Sequence, residues 1–413
     1  MEKTVLVIGA GGVGEVVVHK CAQNNDILGN ICLASRTLEN CDEIIEGVHE
    51  DDNLKDKSKK LYSKELEIED EDDVESVVEV IKAVNPNIVI NVAIPECNMA
   101  IMDACLETGV AYIDTSACEE EYGDYMPYPW YEGHEWARKG KFKEKGLTAV
   151  LSVGFDPGVV NAYCAYAVKH HFDKIDTIDI MDVNAGDHGQ FFATNFDPET
   201  NLTEILEDPG YWEDRKYQEC KHHTVSRTYN FPVVGEHKVY LMGHDEIHSL
   251  PAFIDANSIR FWMGFSDHYI NCFNVLKHCG LLNWNPIEVD GDAVIPIEVL
   301  AECLPDPTDL APNYTGLTCI GNLIKGEKDG KEKEIFIYNL CDHQECYKEV
   351  GSQAISYTAG VPAVAAAILI DQGPWDVKTM VNVEELDPDP FLDLLKKMGL
   401  PTRIKIGEND VEL

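Results

Sequence analysis

The first residues whose spacing suits a chemical role are glycines near the start of the chain. They form a G-x-G-x-x-G motif at residues 9–14, between the apolar run TVLVIGA and the helical pattern GEVVVHKCAQ. The first glycine permits a tight turn, the second lets backbone approach a pyrophosphate, and the third lets a helix pack on a strand. The motif therefore predicts a dinucleotide site with its phosphates at a helix N-terminus. The residues expected to line it are Gly9, Gly11, Gly12, Val13 and Gly14.

A second feature, the sequence Ser35-Arg36-Thr37, follows the glycines by about 20 residues, where many such sites carry an acid for the ribose 2′-hydroxyl. An acid repels a 2′-phosphate, whereas Arg36 can form charge-assisted bonds to it, and Ser35 and Thr37 add hydroxyl donors. The alternative is an exposed loop arginine. We expect NADPH as the cofactor, and hence an enzyme that reduces its substrate.

Acid–base candidates occur mainly in two short stretches of the second half, NAGDHG and GHDE. Taken alone, each of their side chains is more often solvated or structural than catalytic, but together they are dense His/carboxylate groups. Asp114, at the end of AYIDTS, lies at the carboxyl end of a predicted strand, where α/β proteins bind ligands. The candidates in the two stretches are Asn184, Asp187, His188, His244, Asp245 and Glu246.

The scaffold predicted for these residues is a Rossmann-type, doubly wound α/β sheet over residues 1–153. Apolar runs of the kind buried in parallel sheets alternate there with helical patterns. From residue 154 the pattern changes to β-rich stretches with long loops. We expect an inserted α+β domain at 154–349 that provides substrate contacts and dimerisation. The predicted parallel strands lie at 4–10, 30–35, 87–93, 111–116 and 147–153.

The composition limits the classes of partner. With 74 Asp and Glu against 33 Lys and Arg, the net charge is −41, which argues against nucleic acid and anionic membranes. An acidic cleft suits cationic substrates, although a merely solvated surface is the alternative. The apolar run at 359–370 is shorter than a membrane span and predicts a packed helix.

Cysteine usage indicates the compartment. The 14 cysteines include no CxxC pair, which is typical of reduced thiols in a cytoplasm. Cys341, His343 and Cys346 lack a second ligand pair at zinc-finger spacing, so we expect no metal. A strand begins almost at once and no basic segment precedes it, so we expect no signal peptide.

Several longer stretches resemble the saccharopine dehydrogenase-like family over nearly the whole chain. The resemblance implies that Ala93, Pro95, Thr115 and Ser116 join the cofactor site and that Asp156 in GFDPG faces the cofactor, with a helix cap as its alternative role. It also implies a homodimer, in which residues 350–413 return to pack on the nucleotide-binding domain. The stretches are VLVIGAGGVGEVVVHKCAQNND, LASRT, NVAIP, YIDTS, GFDPGVVNAYCAYAVKHHFD and TAGVPAVAAAILI.

Other stretches resemble a narrower branch of that family, which serves polyamine synthesis. The branch implies an NADPH-dependent reductive condensation of L-aspartate β-semialdehyde with a diamine. The sequence does not choose between 1,3-diaminopropane and putrescine. The stretches are DVNAGDHGQFFATNFDPETN, GHDEIHSLPAF, FWMGFSDHYINCFNVLKHCGLL and LPDPTDLAPNYTGLTCIG.

That reaction requires a neutral amine as nucleophile, an acid for loss of water, a cation for the substrate carboxylate, and an anion or aromatic face for the remote ammonium. Arg260 in SIRFWMGF is similar to a carboxylate-binding arginine of saccharopine reductases, so we expect it to bind the carboxylate; a structural ion pair is the alternative.

Two other functions stay open at this point. A saccharopine-type reductase would need a second carboxylate-binding cation, and the sequence Asn184-Ala185-Gly186 departs from the Cys-Gly-Gly-type loop of those enzymes. A nucleotide-sensing module without turnover would leave the two His/carboxylate stretches unexplained.

Overall fold

The computed structural model describes residues 2–69, 71–118 and 128–413. Its strands, numbered in chain order, are β1 (Thr4–Ile8), β2 (Asn30–Ser35), β3 (Leu61–Glu65), β4 (Ile88–Asn91), β5 (Ala111–Ile113), β6 (Ala149–Leu151), β7 (Lys174–Asn184), β8 (Gly210–Glu213), β9 (Lys216–Glu219), β10 (Ser226–Phe231), β11 (Gly235–Met242), β12 (Ser258–Gly264), β13 (Ile287–Val289), β14 (Asp292–Val294), β15 (Leu317–Lys328), β16 (Lys331–Asp342), β17 (Met380–Asn382), β18 (Arg403–Ile406) and β19 (Asn409–Glu412).

The α-helices are numbered in the same way. They are α1 (Gly12–Gln23), α2 (Asn25–Leu28), α3 (Leu38–Glu50), α4 (Val74–Val84), α5 (Asn98–Thr108), α6 (Lys139–Lys145), α7 (Val159–His170), α8 (Pro198–Leu206), α9 (Glu246–Phe253), α10 (Asp267–His278), α11 (Pro296–Cys303), α12 (His343–Val350), α13 (Ala354–Gln372) and α14 (Asp389–Lys397). Short 3₁₀ turns cover Pro95–Cys97, Trp130–Glu132, Trp136–Arg138, Pro307–Asn313 and Val383–Glu385.

The first sheet is parallel and seven-stranded, in the order β17-β6-β5-β4-β1-β2-β3. All residues of β1 and β4 are buried, as their continuous apolar sequences predict. The strand order reverses between β1 and β4, and open α/β sheets bind ligands at the carboxyl ends of such a switch point. This sheet confirms the predicted Rossmann-type fold, and β17 adds an outer strand contributed by the C-terminal segment.

The second sheet is mixed and ten-stranded, and its main path runs β10-β11-β12-β7-β15-β16-β18-β19. Successive side chains of its central strand β7 point into two different hydrophobic cores. Ile178 and Ile180 face the large core shared with the helices, whereas Met181 and Val183 face a smaller one. Because successive side chains of a strand point to opposite faces, this parity decides which side chains of β7 and β12 can meet.

The C-terminal segment serves both sheets. The helix α13 packs along α1, and almost all of its side chains are buried. It is long and apolar enough to cross a membrane, but here it is a core helix that ends at Gly373, whose φ is 101°. In contrast, β18 and β19 extend the second sheet through pairing with β16. The division into domains at residues 153 and 350 stays a prediction.

Asp156 does not take the helix-cap role that was the alternative for it. The helix begins at Val159 and its N-cap is Gly158, whose N–H donates to Asn161 Oδ1 over 2.9 Å. Asp156 lies before this turn and does not cap the helix. Its side chain is therefore available to the groups described below.

Candidate functional site

The glycine loop has the shape that a dinucleotide needs. A Cβ on Gly9 (φ 114°) would lie 2.6 Å from Val92 O, and one on Gly14 would lie 2.1 Å from Gly9 O, so both positions exclude side chains. A Cβ on Gly11 would meet nothing within 4 Å. The loop is therefore tightly packed on the protein side and open beside Gly11, next to the N-terminus of α1. This fits a pyrophosphate.

The next two residues of the loop face the protein. A Cβ on Gly12 would lie 2.7 Å from Ser356 Oγ, and Val13 packs against the large core. The half-buried Glu15 carboxylate accepts a hydrogen bond from the Ser352 hydroxyl. Gly12 and Val13 thus hold the start of α1 against α13 and keep the open face of the loop in place.

Ser35, Arg36 and Thr37 lie where β2 ends. Ser35 is half-buried and pairs in register with Glu65, whereas Arg36 and Thr37 are exposed. Within the described ranges, Arg36 forms no hydrogen bond or ion pair, and the Thr37 side chain does not cap α3. The arrangement leaves the guanidinium of Arg36 free to bind an anion.

The remaining cofactor candidates lie at the carboxyl ends of β4 and β5. Ala93 and Pro95 follow β4, and the Ala93 N–H donates to Asn91 Oδ1 over 3.1 Å. Thr115 and Ser116 follow β5, and both are half-buried. These four residues therefore border the same switch point as the glycine loop.

The residues of the GHDE stretch lie in a group that the second sheet positions near this edge. His244 stacks on Phe261 of β12, with ring centroids 3.9 Å apart. Its Nδ1 lies 2.5 Å from Glu246 Oε2, and its Nε2 lies 3.6 Å from Glu204 Oε1. Asp182 of β7 and Asp156 interact electrostatically with the same imidazole. We refer to these five residues, Asp156, Asp182, Glu204, His244 and Glu246, as the acidic cluster.

The acidic cluster holds protons near neutral pH. Burial, with like charges nearby, raises the pKa of Asp182 and Glu204 to about 7 and raises that of Asp156 well above its usual value. Burial alone would lower the pKa of His244, but Glu246 and the other carboxylates outweigh it and raise the pKa well above normal. His244 is therefore an imidazolium surrounded by carboxyl groups.

A second acidic group holds the turn after β5. The Asp245 Oδ2 and Glu135 Oε1 atoms accept the backbone N–H groups of residues 117–118, each over 2.7 Å. Asp114 accepts the N–H of Ser152 through Oδ1, and its Oδ2 is buried without a hydrogen-bond partner. Burial raises the pKa of Asp114 well above its usual value. Asp114 thus lies beneath the cofactor edge, while Asp245 ties the GHDE turn to that edge.

Asn184 and His188 lie in a separate polar network at the end of β7. His343 Nδ1 accepts the N–H of Ala354 over 3.2 Å, so its Nε2 carries the proton and donates to Asn184 Oδ1 over 3.0 Å. The Asn184 amide donates to the Tyr314 hydroxyl over 2.6 Å, and His188 contacts that ring edge-on. Burial lowers the pKa of His343 to about 4, so it is neutral. The network orients Asn184, and Asp187 beside it is exposed.

Arg260 does not lie with the acidic cluster. Its Nε donates to Asp179 Oδ1 over 2.9 Å and its Nη1 to Glu213 Oε2 over 3.3 Å. The next residue, Phe261, carries His244 on the opposite face of the sheet, because side chains alternate along β12. Arg260 therefore forms an ion pair of the kind considered as the alternative, and its role as a carboxylate ligand stays a prediction.

Two acids of the acidic cluster were absent from the residues expected from sequence. The sequence does contain a sign of Asp182. Ile178 and Ile180 lie on the face of β7 that packs against the large core, and Asp182 continues that face with an acid where the alternation predicts an apolar residue. No comparable signal marks Glu204, which lies on the amphipathic helix α8 among ordinary surface acids.

The cysteine pair considered for zinc has a different arrangement. Cys341 Sγ and Cys346 Sγ lie 3.2 Å apart, while His343 between them in sequence turns to Asn184. In the part of the chain that the structure describes, no three or more His, Cys, Asp or Glu side chains are placed to hold a metal ion.

Comparisons with known proteins agree with this geometry. The family model described as the saccharopine dehydrogenase NADP binding domain matches residues 5–150, and that of the saccharopine dehydrogenase C-terminal domain matches residues 154–400. The fold is also similar to that of apo saccharopine dehydrogenase (L-Glu forming) from Saccharomyces cerevisiae. That similarity has a TM-score of 0.71 and 15% identity, over 98% of this chain and 99% of the other.

Curated relatives are far more similar in sequence. The chain is 51% identical to a carboxynorspermidine synthase of Vibrio alginolyticus, over 97% of this chain and 96% of the relative. It is 49% identical to one of Vibrio cholerae, over 99% of both chains. It is 46% identical to a carboxyaminopropylagmatine dehydrogenase of Synechocystis, over 96% of both. The chain therefore belongs to the saccharopine dehydrogenase family and is an NADP-dependent oxidoreductase.

Proposed function

We propose that the chain catalyses an NADPH-dependent reductive condensation of L-aspartate β-semialdehyde with a diamine in polyamine biosynthesis. The product would be carboxynorspermidine from 1,3-diaminopropane or carboxyspermidine from putrescine. The observation that carries the proposal is the acidic cluster beside the dinucleotide edge, because its surplus of buried carboxyl groups suits a cationic substrate. The names of the relatives from the two Vibrio species support the same reaction.

The cofactor is held by residues whose placement fits it. The open side of the glycine loop at Gly11 would receive the pyrophosphate, and Arg36 with Ser35 and Thr37 would bind the 2′-phosphate. The residues after β4 and β5 would border the nicotinamide. When bound, NADPH supplies the hydride that reduces the carbon–nitrogen double bond.

The proton transfers are assigned to Asp156. Burial raises the pKa of Asp156 well above its usual value, which favours the protonated carboxyl group that can donate a proton to the hydroxyl leaving the carbinolamine. Glu246 contributes to the binding of the amine, and His244 positions the Glu246 carboxylate. Asn184 and His188, at the end of β7, are assigned to contacts with the aldehyde substrate. Asp114 positions Ser152, directly after β6, through the hydrogen bond it accepts from the Ser152 N–H.

The assembly and compartment form a further part of the proposal. We propose a cytoplasmic homodimer, as the family resemblance implies. Within the described residues all cysteines are free thiols, which supports a reducing compartment. Light scattering after gel filtration measures the oligomeric state, and a monomer would contradict the dimer.

The activity is tested by following NADPH absorbance with aspartate semialdehyde and one amine at a time. The amines are 1,3-diaminopropane, putrescine and agmatine, the last because agmatine is part of the name of the relative from Synechocystis. We expect oxidation only when both substrates are present. Oxidation with glutamate in place of the amine would favour a saccharopine-type reductase. NADPH binding without oxidation with any pair would favour a sensing module.

A further inference from the structure

Three carboxylate oxygens of the acidic cluster are buried without a hydrogen-bond partner. They are Asp182 Oδ1, Glu204 Oε1 and Glu246 Oε1. Glu246 is 0% exposed, and its other oxygen is bonded to His244. A buried acceptor without a partner costs about 1–3 kcal/mol, and a charged one more, so three in one place indicate a missing donor.

The charges around these oxygens are unbalanced. They come from three different elements, namely β7, α8 and the start of α9. Throughout the described ranges, the only cationic side chain within ion-pair distance of any of the three acids is His244, which contacts two of them. One imidazolium thus faces Asp182, Glu204, Glu246 and Asp156. The acidic cluster therefore has more acidic groups than positive charges.

We infer that Asp182 and Glu204, together with Glu246, bind the ammonium group of the diamine that does not react. The inference rests on the proposed function, which it deepens by dividing the roles of the two amine nitrogens. A primary ammonium has three N–H donors, the same number as the unpartnered oxygens.

The charge of the cluster decides which nitrogen it binds. Neighbouring carboxylates favour the protonated form of an amine. A protonated amine has no lone pair and cannot attack the aldehyde. The nitrogen in the acidic cluster therefore stays an ammonium ion, and the other nitrogen reacts. A divalent cation is a poorer occupant, because Ca²⁺ and Mg²⁺ require about six oxygen ligands and the described side chains provide no such group.

Calorimetric titration tests the inference without turnover. Putrescine and 1,3-diaminopropane are titrated into the enzyme saturated with NADP⁺, for the wild type, Glu204→Gln and Asp182→Asn. We expect each variant to bind the diamines at least tenfold more weakly. The matched control is Glu199→Gln, on the same helix but beside Asp197 and the acids of α11, and it should bind as the wild type does.

Steady-state kinetics separate binding of the remote ammonium from acid–base catalysis. If Glu204 binds the ammonium, Glu204→Gln raises KM for the diamine at least tenfold, while KM for the semialdehyde and the Kd of NADPH stay unchanged. For propylamine, whose single nitrogen must react, kcat/KM should stay within about twofold of the wild type. If Glu204 transferred protons, kcat would fall equally for both amines.

The outcomes separate the inference from the proposed function. Unchanged diamine affinity in both Glu204→Gln and Asp182→Asn, with melting curves that show folded protein, would overturn the inference even if the wild type condenses diamines. Equal losses for propylamine and the diamines would also overturn it. Diamine binding that depends on Glu204 in an enzyme that condenses no amine would leave the ammonium site standing and refute the proposed reaction.

Discussion

Replacement of Arg36 by Asp should change the cofactor preference from NADPH toward NADH. Arg36 is exposed at the end of β2, without a partner among the described residues, and Ser35 beside it pairs with Glu65. Glu65 on the neighbouring strand is acidic, and without Arg36 its carboxylate would repel a 2′-phosphate. An aspartate would also offer the 2′-hydroxyl of NADH an acceptor.

The expected size of the change follows from exposure. A charge-assisted hydrogen bond contributes about 1.5–3 kcal/mol, and the exposed position of Arg36 favours the lower value. Repulsion between unit charges 4 Å apart adds about 1 kcal/mol in water. With the bond gained to NADH, the preference should change by about 3 kcal/mol, or roughly 150-fold in the ratio of kcat/KM values. High salt should reduce the preference of the wild type.

The assay compares kcat/KM for NADPH and NADH in the wild type and three variants. Ser35→Ala should weaken NADPH use with little effect on NADH. Lys82→Asp is the control for net charge, because it makes the same charge change on the exposed surface of α4. A wild type that uses both cofactors equally, or an Arg36→Asp variant that still prefers NADPH, would refute the assignment of Arg36.

Two further predictions concern stability. Arg260→Met should lower the free energy of unfolding by about 2 kcal/mol, since it removes a partner of the buried Asp179. The KM for the semialdehyde should stay within about twofold of the wild type. Urea unfolding measures the first effect and steady-state kinetics the second, and a tenfold rise in KM would show that Arg260 binds the substrate. Burial raises the pKa of Glu384 to about 7, so the folded state binds more protons than the unfolded state between about pH 4.5 and 7, and stability falls as pH rises through that range. Glu384→Gln should remove about 3 kcal/mol of this fall, measured as unfolding free energies at about pH 4 and pH 8; parallel pH profiles for the two proteins would contradict it.

The sequence predicted the nucleotide-binding half well because its signals are local. A buried parallel strand needs a continuous apolar run, and the tight turn after β1 needs glycine at positions where a Cβ would lie 2.1–2.6 Å from backbone. Both requirements appear in adjacent residues. The seventh strand, β17, was not predicted, because its three residues lie 231 positions beyond their partners in β6 and carry no local sign of that pairing.

The substrate side depended on pairings that sequence spacing does not reveal. Arg260 was expected to bind the substrate carboxylate because arginines are scarce in this part of the chain. Side chains alternate along β12, however, so Arg260 lies on the face opposite to Phe261 and His244. Glu204 comes close to His244 only because α8 packs near the GHDE turn. Such contacts follow from register and helix placement, both of which are long-range properties.

The proton content of the acidic cluster leads to the last prediction. Asp182 and Glu204 have pKa values of about 7, and the pKa values of the neighbouring Asp156 and His244 are also raised. An incoming ammonium lowers the pKa of each carboxyl group and of His244, because like charge disfavours the imidazolium and opposite charge favours carboxylates. Diamine binding near pH 7 should therefore release protons, and diamine affinity should rise from about pH 6 to pH 8, below the pKa of the amine near 10. Titrations in two buffers of different ionisation enthalpy measure the number of protons released. Proton uptake, or an affinity that falls over this range, would show that the diamine does not bind at these carboxyl groups.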